Sequence, residues 1–247
     1  MVWEYAIGSV VLISLASVVG LFTLSMDRKR LKSIVSYLVA FAAGALIGDA
    51  FIHLLPEAIE QNGFAIETSL AIIAGMLVLF IVEKIIHWRH CHMEETDKHQ
   101  HPFAIVNLIG DGVHNFIDGM VIAAAYLVSV PVGLATTFAV VMHEIPQEIG
   151  DFGVLIHGGF SRSRALFFNF LTAFTSVIGA VLVLVIGTQF QESISWLIPF
   201  AAGNFIYIAA ADLIPELHKE VKWEKSTLQL IAVLLGIAAM VLLLALE

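Results

Sequence analysis

The chain has 247 residues, of which 59% are hydrophobic and 13% are charged, and its mean hydropathy is +0.92. Because soluble domains are ~45–50% apolar and ~25% charged, this composition excludes an ordinary soluble protein and predicts an integral membrane protein. The net charge of −9, from 21 acidic and 12 basic residues, gives no electrostatic support for nucleic-acid binding.

Apolar runs recur eight times along the chain, each long enough for a helix to cross a hydrocarbon core of ~30 Å. The first run is followed directly by DRKR, which is typical of a membrane stop and not of a cleaved signal peptide. The predicted fold class is therefore all-α and integral to the membrane. The eight predicted spans cover residues 3–25, 33–57, 66–88, 103–128, 131–158, 163–188, 194–217 and 226–246.

All 12 Lys and Arg residues lie in or beside four alternate connections, which follow spans 1, 3, 5 and 7. Because positive charge is retained on the cytoplasmic side, both termini are predicted to lie outside the cytoplasm. The expected location is the inner or plasma membrane. Residues 1–247 are predicted to form a single transmembrane transporter domain, with a His-rich cytoplasmic loop at 87–102.

Two segments resemble each other, namely GALIGDAFIHLLPE (44–57) in span 2 and GNFIYIAAADLIPE (203–216) in span 7. They run through the membrane in opposite directions, as spans 4 and 5 also do. We therefore predict inverted repeats that relate helices 1–3 to helices 6–8 and helix 4 to helix 5, as is typical of secondary transporters. Chance similarity of short apolar strings is the alternative.

Span 4 contains VHNFIDG, in which His114 and Asp118 are one helical turn apart on the same face. Asn115 flanks them, and Asp111 extends that face toward the cytoplasmic end. Span 5 contains HEIPQEIGD, and its potential ligands form two parallel stripes. These stripes are His143, Gln147 and Asp151, and beside them Glu144 and Glu148.

An ionisable side chain at membrane depth costs at least ~2.5 kcal/mol, so these residues are expected to face a protein interior, a cavity or a cation. Imidazole and carboxylate together are typical ligands of Zn, Fe and Mn. The alternative is a buried polar network that only joins helices. Pro146 lacks an N–H and leaves the carbonyl of Met142 without its helical partner, so we expect a kink beside these ligands.

These motifs resemble the ZIP (Zrt/Irt-like) family of divalent metal transporters over the whole chain. HNFIDG and HEIPQEIGDF are most similar to the histidine-rich subfamily whose fifth helix reads HExPHE. The resemblance implies import of a divalent cation into the cytoplasm by alternating access, through a site between helices 4 and 5. It implies a transporter and not an enzyme, with no cofactor beyond the transported metal, usually Zn²⁺, with Mn²⁺, Fe²⁺ and Cd²⁺ as alternatives.

The metal ligands that the resemblance implies are His114, Asn115, Asp118, His143, Glu144 and Gln147. Asn115 and Glu144 correspond to the side that holds a second metal in some members. Gln147 replaces the second His of HExPHE, and its harder amide oxygen is expected to shift preference from Zn²⁺ toward Mn²⁺ or Fe²⁺. Span 6 contains no acid and has Thr172 near the position of a bridging acid, so one principal metal is predicted.

Two further groups of residues are candidates for accessory roles. Residues that could line the pathway or support the ligands are His53, Glu57, Asp111, Glu148, Asp151, Asp212 and Glu216. For the pairs His53 and Glu57, and Asp212 and Glu216, the alternative role is packing or snorkelling at helix ends. Residues of the loop that could bind metal weakly are His87, His90, His92, His99 and His101. A solvated loop tolerant of histidine is the alternative there.

Two other functional classes compete with transport. HEIPQ is one residue short of the HExxH motif of zinc hydrolases, but the second His is absent and Pro146 interrupts the helix that this motif needs. A metal-sensing receptor without transport is the other class, and a flux assay separates it from a transporter. The expected partners are divalent metal ions and the lipid bilayer, with no nucleic acid, and a homodimer is left open.

Overall fold

The computed structural model describes residues 2–19, 28–91, 102–187 and 196–246, and all regular elements within these residues are helical. We group them as α1 to α8. They are α1 (Val2–Ala16, continued by the 3₁₀ turn Ser17–Val19), α2 (Arg28–Gly48, the π-helix Asp49–Leu54, and Leu55–Asn62), α3 (Ile66–Cys91), α4 (Pro102–Val128), α5 (Val130–His157), α6 (Arg162–Ala173 and Thr175–Gly187), α7 (Leu197–Tyr207, the π-helix Ile208–Leu213, and Ile214–Leu217) and α8 (Trp223–Leu243, continued by the 3₁₀ turn Leu244–Leu246).

Each predicted span corresponds to one of these eight helices, which confirms the all-helical membrane fold. Among the described residues, five segments are long and apolar enough to cross a membrane: Ser33–Asn62, Ile66–Ile85, Arg162–Gly187, Leu197–Leu217 and Trp223–Leu243. The described apolar part of α1, Val2–Leu15, is shorter. α4 and α5 are not in this set because the polar residues of the two motifs lower their hydropathy.

Two helices differ in length or continuity from the predicted spans. α2 continues through Pro56 to Asn62, with the π-helix Asp49–Leu54 directly before the segment that contains this proline. Gly63, at φ 73°, then ends the helix. α6 was expected to be continuous but is interrupted by a turn at Phe174.

The helices form two groups. α4 packs most extensively on α6 and next on α5, and α1 contacts all three. In the second group, α2 packs on α8 and α3 packs on α7, while α2 also contacts α7. The two groups meet mainly where α2 lies against α5 and α3 lies against α4. Only 17% of the apolar windows of α3 and α8 is buried, so these helices present broad faces to the lipid.

Glycines allow the closest helix pairs to approach backbone to backbone. A Cβ atom at Gly203 of α7 would lie 2.0 Å from the carbonyl oxygen of Ile72 of α3. A Cβ atom at Gly75 of α3 would lie 2.0 Å from the carbonyl oxygen of Phe200. α2 and α8 meet in the same manner. Such close contact is the main source of helix association in lipid, where apolar burial gives little driving force.

The two segments that the sequence pairs also share their local structure. The π-helix Asp49–Leu54 in α2 precedes Pro56 by two residues, and the π-helix Ile208–Leu213 in α7 precedes Pro215 by two residues. π-helical turns are rare and are frequent at functional sites. Their occurrence at matching positions agrees with an inverted repeat, and the repeat itself stays a prediction.

We expect Gly203→Ala to destabilise the protein by about 1–3 kcal/mol, since the new methyl group cannot avoid the backbone of α3. The measurement is the midpoint of thermal unfolding of purified protein in detergent. Gly8→Ala is the matched control, because a Cβ atom at Gly8 has no other atom within 4 Å. Equal midpoints for the two variants would contradict the close α3–α7 contact.

Candidate metal centre

A tight hairpin sets α4 and α5 side by side. Ser129 alone separates the two helices, and its hydroxyl oxygen caps α5 by accepting a hydrogen bond from the backbone N–H of Val132 at 3.2 Å. Asp118 and His143 lie 11 and 14 residues from Ser129. At ~1.5 Å per residue they are ~16–21 Å from the hairpin, near the middle of a ~30 Å hydrocarbon core.

Four side chains of α4 and α5 converge at this depth: His114, Asp118, His143 and Glu144. One ligand atom of each lies within 4.8 Å of the other three. His143 Nε2 is 3.1 Å from Asp118 Oδ2 and 3.4 Å from Glu144 Oε1. The two imidazole Nε2 atoms are 3.2 Å apart, and His114 Nε2 is 3.7 Å from each of the two carboxylate oxygens.

These separations suit a single divalent metal. Zinc bonds of ~2.0–2.2 Å to nitrogen and oxygen place adjacent ligand atoms of a tetrahedron ~3.3–3.6 Å apart. The five separations of 3.1–3.7 Å lie around that value. Two imidazoles and two carboxylates form a donor set that Zn²⁺, Fe²⁺ and Mn²⁺ all use.

His143 is oriented by contacts outside the group of four. Its Nδ1–H donates to the carbonyl oxygen of Ala139 at 3.3 Å, and because a carbonyl only accepts, this bond leaves Nε2 free to bind a metal. The ring of Phe205 on α7 meets the imidazole edge to face, with centroids 6.1 Å apart. α7 therefore closes one side of the group.

The carboxylates of the group are buried without conventional partners. Asp118 and Glu144 are 1% and 0% exposed, and His114 has a side chain 15% exposed. Within the described residues, Asp118 Oδ2 and both carboxylate oxygens of Glu144 accept no hydrogen bond of acceptable geometry. Burying such oxygens at membrane depth is costly unless a cation or proton neutralises them.

A cavity of about 190 Å³ begins at His114 and lies between the two helix groups. It reaches toward those ends of α3, α4, α5 and α7 that adjoin the basic connections. Its polar lining residues are Glu83, Asn107, Asp111, His114, Gln147, Asp151, Tyr207 and Asp212. Oxygen ligands thus continue from the group of four toward this end of the protein.

The remaining predicted ligands lie beside the group. Gln147 lines the cavity together with His114. Asn115 is fully buried, and its amide donates to the carboxylate Oδ1 of Asp111 at 2.8 Å. Glu144, which the resemblance places with a second metal, shares the group with His114.

The predicted pathway residues divide into two sets. Asp111, Asp151 and Asp212 line the cavity, and Asp151 also accepts a hydrogen bond from Asn107 at 2.8 Å. Glu148 is fully buried and accepts a hydrogen bond from Asn169 of α6.

The other three predicted pathway residues, like Glu148, are not among the residues that line this cavity. His53 is buried, and its Nε2 lies 3.0 Å from the carbonyl oxygen of Met240 on α8. Glu57 accepts a hydrogen bond from Gln61, and Glu216 pairs with Lys219. The loop prediction lies outside the described residues, since 92–101 are not described and the side chains of His87 and His90 are not described either.

Four polar residues at or near the site escaped the sequence analysis: Glu83, Asn107, Asn169 and Tyr207. Asn107 was detectable, since it lies one turn before Asp111 on the same helix face. Glu83 was detectable as an acidic residue near the predicted cytoplasmic end of a span. Its neighbour Lys84 contributes only to the prediction of topology. The hydrogen bond from Tyr207 to Glu83 joins α7 to α3 and leaves no local pattern in the sequence.

Comparison with known proteins matches the chain to one family and to relatives that are all described as zinc transporters. The family described as "ZIP Zinc transporter" matches residues 1–103 and 89–244. The chain is 29% identical to "Zinc transporter zipt-7.1" of Caenorhabditis briggsae, over 97% of this chain and 78% of the relative. It is 29% identical to "Zinc transporter ZIP13 homolog" of Drosophila melanogaster, over 96% and 88%. It is 34% identical to "Zinc transporter ZIP13" of Pongo abelii, over 83% and 65%.

We expect Gln147→His to raise the affinity for Zn²⁺ relative to Mn²⁺ by about tenfold, which corresponds to ~1.4 kcal/mol. The reason is that imidazole suits Zn²⁺ better than an amide oxygen does, and position 147 adjoins His114 at the cavity. The measurement is competitive titration of both metals on purified protein. Gln61→His adds the same imidazole at an exposed position in the last turn of α2, and should leave the ratio unchanged. An unchanged ratio in both variants would place Gln147 outside the site.

Proposed function

This chain belongs to the ZIP zinc transporter family and is a multi-pass membrane protein, and on that basis we propose that it carries divalent transition-metal cations across the bilayer. Zn²⁺ is the proposed main substrate, as the names of the relatives suggest. Mn²⁺, Fe²⁺ and Cd²⁺ are the alternative substrates, because the same ligand types bind them.

The observation that carries this proposal is the convergence of His114, Asp118, His143 and Glu144 between α4 and α5. A buried network that only joins helices would be expected to satisfy its polar atoms internally. Here Asp118 Oδ2 and both carboxylate oxygens of Glu144 lack hydrogen-bond donors among the described residues, while the separations of Asp118 Oδ2 and Glu144 Oε1 from the imidazoles suit a bound metal. We therefore assign these four residues as the principal ligands, with Gln147 and Asn115 as neighbours that tune the site.

The proposed direction is import into the cytoplasm. The cavity from the group of four leads toward the helix ends that adjoin the basic connections, which the positive-inside rule places in the cytoplasm. Asp111, Asp151 and Asp212 along this cavity would receive the departing cation. The His-rich segment 87–102 follows on the same side, where we propose that it buffers the released metal.

The arrangement of the helices supports a proposal of alternating access. His143 and Asp118 belong to the group formed by α1, α4, α5 and α6, whereas Phe205 and Asp212 belong to the group formed by α2, α3, α7 and α8. The cavity lies between the two groups. We propose that displacement of one group against the other closes this cavity and opens the site to the opposite side.

Proteoliposomes that contain the purified protein are expected to take up Zn²⁺ faster than Mn²⁺, Fe²⁺ or Cd²⁺. His143→Ala should abolish this uptake, because it removes the imidazole nearest both carboxylates. His218→Ala is the matched control, since His218 is exposed beyond the end of α7. Folded protein that binds Zn²⁺ but moves no metal would contradict transport and favour a sensor.

The proposed orientation is tested by single cysteines in a Cys91→Ser background. Gln61→Cys, in the last turn of α2 and beyond the outer end of the predicted span 33–57, should react with a membrane-impermeant maleimide in intact cells. Ser161→Cys, between α5 and α6, should react only after permeabilisation, since it adjoins the basic residues Arg162 and Arg164. The reverse pattern would place both termini in the cytoplasm.

A further inference from the structure

α6 carries none of the proposed ligands, but it forms hydrogen bonds or close backbone contacts with both helices that carry them, α4 and α5. Thr175 Oγ1 donates to the carbonyl oxygen of Gly112 on α4 at 2.6 Å, two residues before His114. A Cβ atom at Gly179 of α6 would lie 2.1 Å from the carbonyl oxygen of Phe116, so the two backbones are in direct contact there. The position of the α4 ligands is therefore set against the backbone of α6.

Pro146 interrupts the backbone hydrogen bonding of α5 within the site. It removes the backbone N–H that would bind the carbonyl oxygen of Met142, so the helix lacks one hydrogen bond between these residues. His143 and Glu144 precede the proline, and Gln147 follows it. The relative position of these ligands is therefore less constrained by α5 itself than in an unbroken helix.

Asn169 of α6 supplies a constraint on the part of α5 that follows Pro146. Its amide Nδ2 donates to the carboxylate Oε2 of Glu148 and, at 3.3 Å, to the main-chain carbonyl oxygen of the same residue. Both residues are fully buried. These two bonds fasten the first turn after Pro146, which carries Gln147, to the helix that also holds α4.

We propose that Asn169 is a positioning residue for the metal site. By fixing the part of α5 that follows Pro146 against α6, it sets the distance between Gln147 and the ligands His114 and Asp118 of α4, and so sets the preference between Zn²⁺ and Mn²⁺. This inference rests on the proposed function. Interhelical hydrogen bonds contribute little to stability on average within membranes, whereas residues that support ligands change metal affinity by ~10–100-fold.

The test exchanges the donor and the acceptor in the hydrogen bond between the side chains of Asn169 and Glu148. Asn169→Asp removes the donor and sets a second carboxylate against that of Glu148, so Zn²⁺ should bind about tenfold more weakly and the ratio of Zn²⁺ to Mn²⁺ affinity should change. In the double variant Asn169→Asp/Glu148→Gln, the new amide can donate to the new carboxylate with the total charge of the pair unchanged. This restores the bond between the two side chains, although not the longer bond to the main-chain carbonyl oxygen of residue 148. Zn²⁺ affinity and the metal ratio should return to within about threefold of the wild type. Asn169→Leu, similar in size and uncharged, should reproduce the loss if Asn169→Asp does not fold.

The readouts are the dissociation constants of Zn²⁺ and Mn²⁺ and the thermal unfolding midpoint, measured on the same purified protein. Ser14→Ala is the control, because it removes two buried hydrogen bonds between α1 and α6, to Ala173 and Ser176, that involve no residue of α4 or α5. It should lower the midpoint without changing the metal ratio.

Three results would overturn the inference. In the first, the Asn169 variants behave like Ser14→Ala, which would make the contact purely structural. In the second, the double variant fails to recover the metal ratio. In the third, the wild-type protein binds neither metal, which would also overturn the proposed function, whereas the first two leave that function standing.

Discussion

The cost of placing carboxylates and imidazoles at membrane depth governs this structure. Asp118, His143 and Glu144 are almost completely buried near the middle of the bilayer, where an unneutralised charge is unfavourable by several kcal/mol. The protein meets this cost by turning the ligand faces of α4 and α5 toward each other, with Phe205 of α7 covering one side. The spacing of the facing atoms suits a cation that neutralises them.

Keeping these buried polar side chains together requires tightly packed helices around them. In lipid, however, there is little hydrophobic driving force for helices to associate. The structure obtains this packing from close backbone contact at glycines, as at Gly203 of α7 against Ile72 of α3 and at Gly75 of α3 against Phe200 of α7. α6 uses the same kind of contact with α4 and adds the hydrogen bonds of Asn169 to Glu148. The helices that carry the proposed ligands are thus fixed within one group, while the cavity lies at the boundary with the other group. The proposed displacement of the two groups would therefore change access without disturbing those residues.

Part of the site was predictable because its signal is local. The four-residue spacing of His114 and Asp118, and the run from His143 to Gln147, place ligands on one face of a helix whatever surrounds it. The resemblance associates Glu144 with the side that holds a second metal in some members, and the structure adds that its Oε1 lies 3.4 Å from His143 Nε2. The rotation of α5 about its axis decides which stripe faces α4, and spacing along one helix does not specify that rotation.

The sequence by itself determined the number of helices, their alternating direction and the chemical types of the candidate ligands, because hydropathy, basic connections and helical periodicity act along a single segment. Only the tertiary structure decided that the helices form two groups with a cavity between them, lined in part by Glu83 and Tyr207. It also decided that Asn169 forms a hydrogen bond to α5 beyond Pro146. These features join residues far apart in the chain. They depend on how closely neighbouring backbones approach and how each helix is rotated, which is settled by the packing of all the helices together.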